Sequence, residues 1–453
     1  METISYSDCL KEMFALGRFG IKLELKTTED ILKHLGSPQK KFCSIHIAGT
    51  NGKGSIASYI ASILSNSGFK TGLYTSPHLI KFNERFRING TMVSDEDIVE
   101  SFLAVKNADQ GERRATFFEI STAMAFYLFA KAEVDWAVIE TGMGGRLDAT
   151  NVLQPAVTII SNLSIEHTEY LGNTLEEIAA EKGGIIKQNT PLVTGVTQES
   201  AIAVLNDIAQ KKSAPVYRYG KDFNVIDAES EKMFSSEHKI GLGTQFTYKG
   251  IDAVWKNMGT RLSGEHQIQN SALALAACEL LIKQKIGDEK HKLTEDSIRK
   301  GLAATVWSGR LEYIMQKPLV LIDGAHNLDA AENLGKYLKK HHSSNRTMII
   351  GILKDKPYKE MLEYMLPDSN HIIFTRAKID RSLDPKLLKD FAVNNMNVSA
   401  EIDIIENVED AVEYAVKSAS EKDCICIAGS LYVAGEARDK ILKDFVKDSV
   451  FQG

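Results

Sequence analysis

The sequence predicts an α/β protein with two domains, each organised around a parallel sheet. The chain has 453 residues, which is too long for one ordinary hydrophobic core. A strand-like run, a glycine-rich turn and a helical run follow one another in residues 43–64. Beyond residue 310, strand-like runs alternate with helical segments, as is typical of a parallel sheet. We therefore place the domains at residues 1–304 and 305–453, with a linker near 303–310.

The composition is that of an ordinary soluble globular protein, with 43% hydrophobic and 25% charged residues. A formal net charge of −6 argues against a nucleic acid or an anionic membrane as the main partner. No apolar run is long enough to cross a membrane, and Met1–Tyr6 lacks the basic and apolar regions of a targeting signal. The five cysteines form no Cys-x-x-Cys pair, which fits a reducing cytoplasm. We expect a cytoplasmic monomer.

The first motif joins a strand to a helix. The apolar run Cys43–Ala48 ends in Gly49-Thr50-Asn51-Gly52-Lys53-Gly54-Ser55, and helical spacing begins at Ile56. Glycines let successive backbone N–H groups turn inward, and Lys53 adds a full charge for β- and γ-phosphates. The pattern predicts a phosphate-binding loop, with a plain glycine turn as the alternative.

Polar residues follow three more strand-like runs of the first domain. Residues 70–75 precede Ser76-Pro77-His78, residues 134–139 precede the glycine-rich segment 140–151, and residues 156–161 precede Glu166-His167. The carboxyl ends of parallel strands lie at the edge of a sheet where ligands bind. We therefore expect a ligand site formed by these loops, although a polar surface loop and a structural histidine are the alternatives.

Two further positions leave alternatives open. Lys182 ends a helical segment that begins at Thr174, where a plain interaction with the helix dipole is also possible. In the second domain the run 319–322 ends in Asp323-Gly324-Ala325-His326-Asn327, which is either a binding loop or a helix N-cap. The other strands predicted there are 348–352, 371–375, 402–405 and 424–428. Residues 213–262 alternate short β-like runs with glycine and charge, and we assign them no function.

Nine motifs in order resemble the folylpolyglutamate synthase/dihydrofolate synthase family, relatives of the Mur ligases. They are GTNGKGS at 49–55, TSPHL at 75–79, TFFE at 116–119, ETGMGGRLDATN at 140–151, EHTEYLG at 166–172, EKGGIIK at 181–187, HQIQN at 266–270, SGR at 308–310 and DGAHN at 323–327. TSPHL and GGRLDATN favour the folate branch over the Mur branch. The resemblance implies a P-loop Mur-ligase-like ATPase domain followed by a Rossmann-like parallel-sheet domain.

The resemblance also implies site residues. Those for ATP are Asn51, Gly52, Lys53, Gly54, Ser55, Asn270, Arg310, Asp323 and His326. Those for magnesium are Ser76, Glu140 and His167, and those for the pterin substrate are Thr116, Phe117, Phe118, Glu119, Leu147, Asp148 and Ala149. Lys182 matches a lysine that carries a carbamate, and Lys53, Lys182 and His167 form the implied catalytic set. The family usually has aspartate where this chain has Glu166 and alanine where it has Gly183.

The implied activity is an ATP-dependent amide ligation through an acyl phosphate. L-Glutamate would be added to dihydropteroate, to reduced folate polyglutamates or to both. Two alternatives remain at this point, a Mur-type ligase acting on a nucleotide-linked sugar peptide and an ATP-binding switch without catalytic activity. The switch would leave the glycine-rich segment 140–151 and Asp323 without a function.

Overall fold

A computed structural model describes residues 4–17, 22, 24–229, 231–236, 239–285, 291–342, 345–396 and 398–446, with the backbone alone for 233–236 and 239–242. The chain forms two compact units. The first unit comprises residues 1–229, 245–260 and 267–305, and the second comprises 230–244, 261–266 and 306–453. Two short segments that precede residue 305 therefore belong to the second unit.

Up to residue 304 the elements are α1 Tyr6–Leu16, α2 Lys26–His34, β1 Cys43–Ala48, α3 Lys53–Asn66, β2 Thr71–Tyr74, β3 Phe86–Ile88, β4 Thr91–Met92, α4 Asp95–Ala108, α5 Phe117–Lys131, β5 Trp136–Glu140, β6 Val157–Ile160, α6 Thr168–Leu171, α7 Leu175–Gly183, β7 Leu192–Thr194, α8 Glu199–Lys211, β8 Val216–Arg218, β9 Asn224–Ile226, β10 Lys232–Ser236, β11 Lys239–Lys249, β12 Val254–Thr260, α9 Glu265–Lys283 and α10 Glu295–Ala304. Short 3-10 helices lie at Pro38–Lys40, Phe82–Arg85 and Ala149–Val152. The later elements are β13 Glu312–Gln316, β14 Leu319–Ile322, α11 Leu328–His341, β15 Arg346–Ile350, α12 Tyr358–Met365, β16 His371–Arg376, α13 Pro385–Asn395, β17 Glu401–Asn407, α14 Val408–Ser418, β18 Cys424–Ala428 and α15 Leu431–Asp444.

The first unit contains an eight-stranded sheet in the order β4-β3-β2-β5-β1-β6-β7-β8. The six strands from β2 to β8 in this order pair in parallel, and β3 and β4 extend the edge as antiparallel strands. The predicted parallel sheet is confirmed. Strand β1 lies between β5 and β6, so the loops after these strands emerge side by side at the carboxyl edge.

Apolar side chains explain why this sheet is buried. Strand β1 contributes Ile45 and Ile47, which are fully buried, and β5 is buried along its whole length. Such continuous apolar strands are typical of a parallel sheet covered by helices on its faces. Helix α5 adds Phe126 and Phe129 to one core cluster, while α8 adds Leu205 to another.

Residues 213–262 contain a small antiparallel sheet in the order β10-β11-β12, with β9 paired to β11. In the first unit, the turn between β11 and β12 surrounds the buried carboxylate of Glu279 on α9. Glu279 accepts hydrogen bonds from the Tyr248 hydroxyl and from the backbone N–H groups of Ile251, Asp252 and Ala253, at 2.6–3.0 Å. One side chain of a helix therefore fixes the whole turn.

The second unit contains a six-stranded sheet in the order β13-β14-β18-β15-β16-β17. Strand β13 is antiparallel to β14, and the remaining pairs are parallel. Its core includes Met348, Phe374 and Cys426. All five strands predicted here are confirmed, and so is the parallel α/β architecture. Among the described residues, no helix has the length and apolarity that a membrane span requires.

We expect Glu279→Ala to lower the free energy of unfolding by about 2 to 3 kcal/mol, because four hydrogen-bond donors lose their acceptor. Urea denaturation followed by circular dichroism would measure this loss. Asp207→Ala is the matched control, since it removes an exposed carboxylate that pairs with Lys211 within one helix. The control should change stability by less than about 0.5 kcal/mol. Equal losses in the two variants would contradict the structural role of Glu279.

Candidate active site

The phosphate-loop sequence adopts a backbone that requires glycine at two positions. Gly49 has φ +143° and Gly52 has φ +83°, both in the region that L side chains rarely adopt. A Cβ atom on Gly49 would lie 1.9 Å from the Ser161 hydroxyl oxygen. A Cβ atom on Gly52 would lie 2.5 Å from Oδ1 of Asn270. Both glycines therefore also permit close approach of neighbouring side chains.

The loop is fixed by the segment that follows β6. The Ser161 hydroxyl donates to the carbonyl of Asn51 at 2.6 Å, and the N–H of Asn51 donates to Oδ1 of Asn162 at 2.8 Å. The N–H of Ser164 donates to the Thr50 hydroxyl at 3.1 Å. Helix α3 then begins at Lys53, so its first N–H groups face the loop. A glycine loop in front of a helix N-terminus is suited to binding an anion.

Two lysine side chains meet at one carbonyl oxygen of this loop. Nζ of Lys53 donates to the carbonyls of Gly49 and Thr50, each at 3.0 Å. Nζ of Lys182 donates to the same Gly49 carbonyl at 2.7 Å and to Oε1 of Glu166 at 3.0 Å. Lys182 lies on α7, 133 residues beyond Gly49 in the sequence. The structure thus brings Lys53 and Lys182, both predicted site residues, to the same point.

Burial and neighbouring charges together determine the protonation of this cluster. Burial lowers the pKa of Lys182 to about 8, although Glu166 opposes the shift, and the charge of Lys53 lowers the pKa further. Burial also opposes ionisation of Glu166, but the charges of Lys182, Lys53 and His167 outweigh it and hold the Glu166 pKa at about 2. Glu166 is therefore ionised at neutral pH, and part of Lys182 is neutral.

Asn270 also lies beside the loop. It is buried on α9, and its Oδ1 is the atom that a Cβ on Gly52 would contact. Its amide donates to Oε1 of Gln267 at 3.0 Å, and the Gln267 amide donates to the hydroxyl of Ser55 at 3.2 Å. The structure therefore connects the predicted nucleotide residues Gly52, Ser55 and Asn270. Gln267, which the sequence analysis did not include, is the link between them.

Two of the three predicted magnesium residues are in direct contact. The N–H of Ser76 donates to Oε2 of Glu140 at 3.0 Å, and Glu140 ends β5 as a buried carboxylate. His167 is exposed and adopts a left-handed backbone, with φ 49°, at the start of α6. It follows Glu166 directly and influences its pKa. Among the described residues, no three His, Cys, Asp or Glu side chains form a group suited to a metal ion.

His78, which sequence reasoning placed at the strand end with Ser76, has an internal partner. Its Nδ1 accepts a hydrogen bond from Nε of Arg85 at 2.9 Å. Burial and then the charge of Arg85 lower the pKa of His78 to about 3, so the ring is neutral. The guanidinium of Arg85 also lies 5.2 Å from the ring centroid of Phe117. His78 and Arg85 therefore lie beside the predicted substrate residue Phe117.

Thr116 and Glu119, two of the predicted substrate residues, form hydrogen bonds with each other. Thr116 caps α5, and its N–H donates to Oε2 of Glu119 at 2.7 Å, while the Glu119 N–H donates back to the Thr116 hydroxyl at 3.3 Å. Arg113 adds a two-pronged ion pair to the Glu119 carboxylate at 2.6 and 3.0 Å. These bonds form a capping box that fixes the start of α5. Contact of Thr116 and Glu119 with a substrate stays a prediction.

The remaining predicted substrate residues lie around one glycine turn. A Cβ on Gly142 would lie 2.3 Å from the ring of Phe118, so the turn and this ring are closely packed. Asp148 is buried and accepts from the N–H groups of Gly142 and Met143, each at 2.9 Å. Leu147 is half-buried, and Ala149 begins a short 3-10 helix. Phe118 and Asp148 therefore fix the turn from two sides.

In the second unit, Asp323 holds the loop that carries Arg310. The buried Asp323 carboxylate accepts from the N–H of Leu311 at 2.8 Å and from the N–H of Ala325 at 2.9 Å. Burial raises the pKa of Asp323, while Arg310 opposes the shift. The Arg310 guanidinium lies above Gly324, where a Cβ would be 2.4 Å from its Nη1. The structure therefore brings Arg310 and Asp323 together.

His326 lies in the loop that follows β14, and its Nδ1 is 2.8 Å from the carbonyl oxygen of Gly324. An ion pair that sequence reasoning missed supports the loop that carries Arg310, and it involves a residue of α15. Nε of Arg438 is 3.0 Å from both carboxylate oxygens of Glu312, and Oε2 of Glu312 accepts from the N–H of Gly309 at 2.8 Å. Arg438 is 126 residues from Glu312, so no local pattern could have indicated the pair.

Comparison with known proteins agrees with this geometry. Residues 47–278 match the family model of the Mur ligase middle domain, and residues 309–431 match that of the Mur ligase glutamate ligase domain. Dihydrofolate synthase/folylpolyglutamate synthase of Bacillus subtilis (strain 168) is 35% identical over 445 residues, which cover 96% of this chain and 99% of that protein. Folylpolyglutamate synthase of Lacticaseibacillus casei is 34% identical over 418 residues, covering 91% and 93%.

The chain belongs to the folylpolyglutamate synthase/dihydrofolate synthase family of Mur ligases. A solved structure supports this, that of Mycobacterium tuberculosis folylpolyglutamate synthase complexed with ADP and AMPPCP. It superposes with a TM-score of 0.84 at 31% identity and covers 96% of this chain and 98% of that one. The resemblance seen in the nine motifs and the predicted fold class are confirmed.

For a member of this ligase family, the phosphate loop is the part of the site that the geometry defines best. We expect Gly52→Ala to weaken ATP binding at least about tenfold, because the new Cβ would displace Asn270 and strain the loop. Isothermal titration calorimetry with a non-hydrolysable ATP analogue would measure the affinity.

Gly90→Ala is the matched control for this variant. Gly90 has φ +81°, close to that of Gly52, but among the described residues no heavy atom beyond its chain neighbours lies within 4 Å of a Cβ placed there. The control carries a similar backbone strain of about 1 to 2 kcal/mol without the steric clash. ATP affinity that falls equally in both variants would contradict the role assigned to the Gly52–Asn270 contact.

Proposed function

We propose that the protein is an ATP-dependent amide ligase that adds L-glutamate to dihydropteroate, to reduced folate polyglutamates or to both. One structural observation supports this most directly, the meeting of Lys53 and Lys182 at the Gly49 carbonyl within a phosphate loop. The family membership supports the class of reaction. Relatives named for both activities and for one of them are 35% and 34% identical, so identity does not select between the two substrates.

We propose the following assignment of the nucleotide site. Residues 51–55 hold the triphosphate, with Lys53 as the charge that faces the β- and γ-phosphates. Asn270 is assigned a contact with the nucleotide, and so are Arg310, Asp323 and His326. The contact between the Gly52 backbone and Asn270 supports the first part of this assignment. The electrostatic interaction of Arg310 with Asp323 supports the second.

We further propose that Ser76, Glu140 and His167 hold a magnesium ion with the nucleotide. The donor set fits in part, because a hydroxyl and a buried carboxylate are the oxygen ligands that magnesium prefers. An imidazole is less usual in such a shell. Magnesium at this position would neutralise charge on the transferred phosphoryl group. The contact of Ser76 with Glu140 at 3.0 Å supports a shared site for these two residues.

Lys182 is proposed to carry a carbamate, which would convert a cation into an oxygen donor. Carbamate formation requires a neutral amine and carbon dioxide. The burial of Lys182 and its pKa near 8 keep part of the amine neutral under physiological conditions. The Gly49 carbonyl and Glu166 hold Nζ in a fixed position beside the phosphate loop.

The reaction that fits these residues activates a carboxylate by phosphorylation. A carboxylate is a poor acceptor for an amine, because it is anionic and has no good leaving group. Transfer of the γ-phosphoryl group of ATP gives an acyl phosphate, and the glutamate amine then attacks the acyl carbon and releases phosphate. Positioning and charge neutralisation provide most of the catalysis in phosphoryl transfer. Lys53 provides the charge, and the segments 116–119 and 147–149 are proposed to bind the pterin-bearing substrate.

We also propose a division into two domains, a monomeric state and a cytoplasmic location. Residues 1–304 and 305–453 act as the two domains, and the protein acts as a monomer in the cytoplasm. The five cysteines, all of them among the described residues, are unpaired, which supports a reducing compartment.

Glutamate-dependent phosphate release tests the proposed function. The purified protein is incubated with ATP, magnesium and glutamate, and separately with dihydropteroate, tetrahydrofolate or a nucleotide-linked sugar peptide. We expect release with at least one pteroyl substrate and none with the sugar peptide. Release that requires no glutamate, or that requires the sugar peptide, would overturn the proposal.

Lys53→Ala should lower kcat about 10³-fold in this assay, because a charge that stabilises the transferred phosphoryl group is lost. Lys41→Ala, which removes an exposed lysine two residues before β1, is the matched control and should leave kcat unchanged. Near-normal turnover of Lys53→Ala with an intact circular dichroism spectrum would argue against the proposed role.

For Lys182 we expect the carbamate to accumulate as pH rises from 7 towards 9, since the neutral amine becomes abundant near its pKa of about 8. NMR of the protein equilibrated with ¹³C-bicarbonate would detect the signal, and Lys182→Arg should abolish it. Acetate or formate should partly restore the activity of Lys182→Ala. The combination of an absent signal and absent rescue would refute the modification.

A further inference from the structure

A buried histidine on β1 leads away from the phosphate loop towards the proposed substrate loop. His46 is fully buried and lies opposite Ile139 of β5 and Thr158 of β6. Its Nε2 is 2.7 Å from the hydroxyl oxygen of Thr150. That hydroxyl is 2.5 Å from Oδ1 of Asp148. The three side chains, His46, Thr150 and Asp148, form one continuous chain of hydrogen bonds, which we call the β1 relay.

The direction of the hydrogen bonds in the β1 relay follows from the carboxylate. Both oxygens of Asp148 face donors, since Oδ1 also accepts from the Thr150 N–H at 3.0 Å and Oδ2 accepts from two further N–H groups. Burial raises the pKa of Asp148, while the hydrogen bonds from Thr150, Met143 and Gly142 oppose the shift. Because each carboxylate oxygen already accepts from an N–H group, the Thr150 hydroxyl is the donor to Oδ1. The hydroxyl oxygen then accepts from His46, so the proton of the neutral ring lies on Nε2.

The rest of the histidine environment agrees with a neutral ring in this tautomer. Burial, followed by the charge of Lys187, lowers the pKa of His46 to about 3. Nδ1 is buried and has no hydrogen-bond partner among the described residues. A buried nitrogen without a hydrogen loses less by having no partner than a buried N–H group would, which agrees with a proton on Nε2. Nζ of Lys187 donates to the carbonyl of Asn151 at 2.8 Å, which fixes the segment just beyond Thr150.

The β1 relay ends at the glycine turn that packs against Phe118. Oδ2 of Asp148 accepts from the N–H groups of Gly142 and Met143, each at 2.9 Å. Gly142 approaches the Phe118 ring so closely that a Cβ there would lie 2.3 Å from it. A shift of Asp148 would therefore move the turn and the ring together. At the other end, His46 lies on β1, three residues before Gly49, which follows the end of the strand.

We propose that His46 and Thr150 are positioning residues that fix the pteroyl-binding turn relative to the phosphate loop. This inference rests on the proposed function. The pteroyl substrate must bind so that its reacting carboxylate lies close to the γ-phosphate, and a displaced turn would weaken this binding. A rigid strand that ends in the phosphate loop and also holds the substrate turn satisfies this requirement. Packing alone would be served by an apolar residue at position 46, which would leave no buried polar atom unpaired.

Thr150→Val tests the β1 relay, because valine has nearly the shape of threonine and lacks the hydroxyl. We expect KM for the pteroyl substrate to rise about tenfold, with KM for ATP changed less than about twofold. Thr150→Ser keeps the hydroxyl and should restore the KM. His46→Phe removes the donor to Thr150 and should raise the same KM in the same direction.

Thr158→Val is the matched control. Thr158 is also fully buried, lies beside His46 in the sheet, and donates its hydroxyl to the Pro191 carbonyl at 3.1 Å, away from the substrate turn. It should lower stability without changing either KM. If a variant only contained less folded protein, its maximal rate would fall and both of its KM values would be unchanged. A rise in the pteroyl KM therefore cannot result from a loss of folded protein.

Hydrogen exchange gives a second readout that does not depend on activity. Mass spectrometry should show faster amide exchange in residues 140–151 of Thr150→Val than in Thr150→Ser or Thr158→Val. Unchanged exchange in this segment, or an unchanged pteroyl KM in Thr150→Val, would overturn the inference. Absence of glutamate-dependent phosphate release by the unaltered protein would instead refute the proposed function, while the exchange result would still decide whether the β1 relay positions the turn.

Discussion

The shared acceptor at Gly49 is the interaction on which the site of the first unit depends. One carbonyl oxygen accepts from Lys53 at 3.0 Å and from Lys182 at 2.7 Å, so two ammonium groups converge on one point of the backbone. Glu166 contacts Lys182 and compensates one of the two charges. The excess positive charge beside a helix N-terminus favours an anion. The phosphate groups of a nucleotide are anions of this kind.

The same arrangement constrains the chemistry of Lys182. As an ammonium group it pairs with Glu166, and this attraction works against the loss of its proton. As a carbamate it would place a second negative charge beside Glu166, which is ionised at neutral pH. Like charges in a buried site disfavour each other unless a cation compensates them. Carbamate formation and the binding of a cation near Glu166 are therefore coupled under the proposed mechanism.

The sequence was sufficient for the parts of the molecule that depend on local pattern. Strand β1, the phosphate loop and helix α3 are contiguous, so apolar spacing and glycine positions predicted them. The hydrogen bonds that fix the site join distant positions, as with Thr150 and His46, which are 104 residues apart. The role of Glu279 was not predicted for the same reason, because its partners lie at the end of β11 and in the turn that follows, 26 to 31 residues away. Pattern indicates which residues lie at a strand end, whereas burial and long-range partners decide what each side chain does.

Two residues with left-handed backbones, one in each unit, lie in loops that carry predicted site residues. His167 and Leu311 adopt left-handed backbone conformations, with φ 49° and 45°, which residues other than glycine rarely adopt. Each such residue costs about 1 to 3 kcal/mol and persists where its surroundings determine it. For Leu311 those surroundings are Asp323, which accepts its N–H, and the Glu312–Arg438 pair, which holds the adjacent Gly309. The energetic cost of these backbone conformations is met when the protein folds and not when a ligand binds. Arg310, which lies between Gly309 and Leu311, is therefore positioned before any ligand arrives.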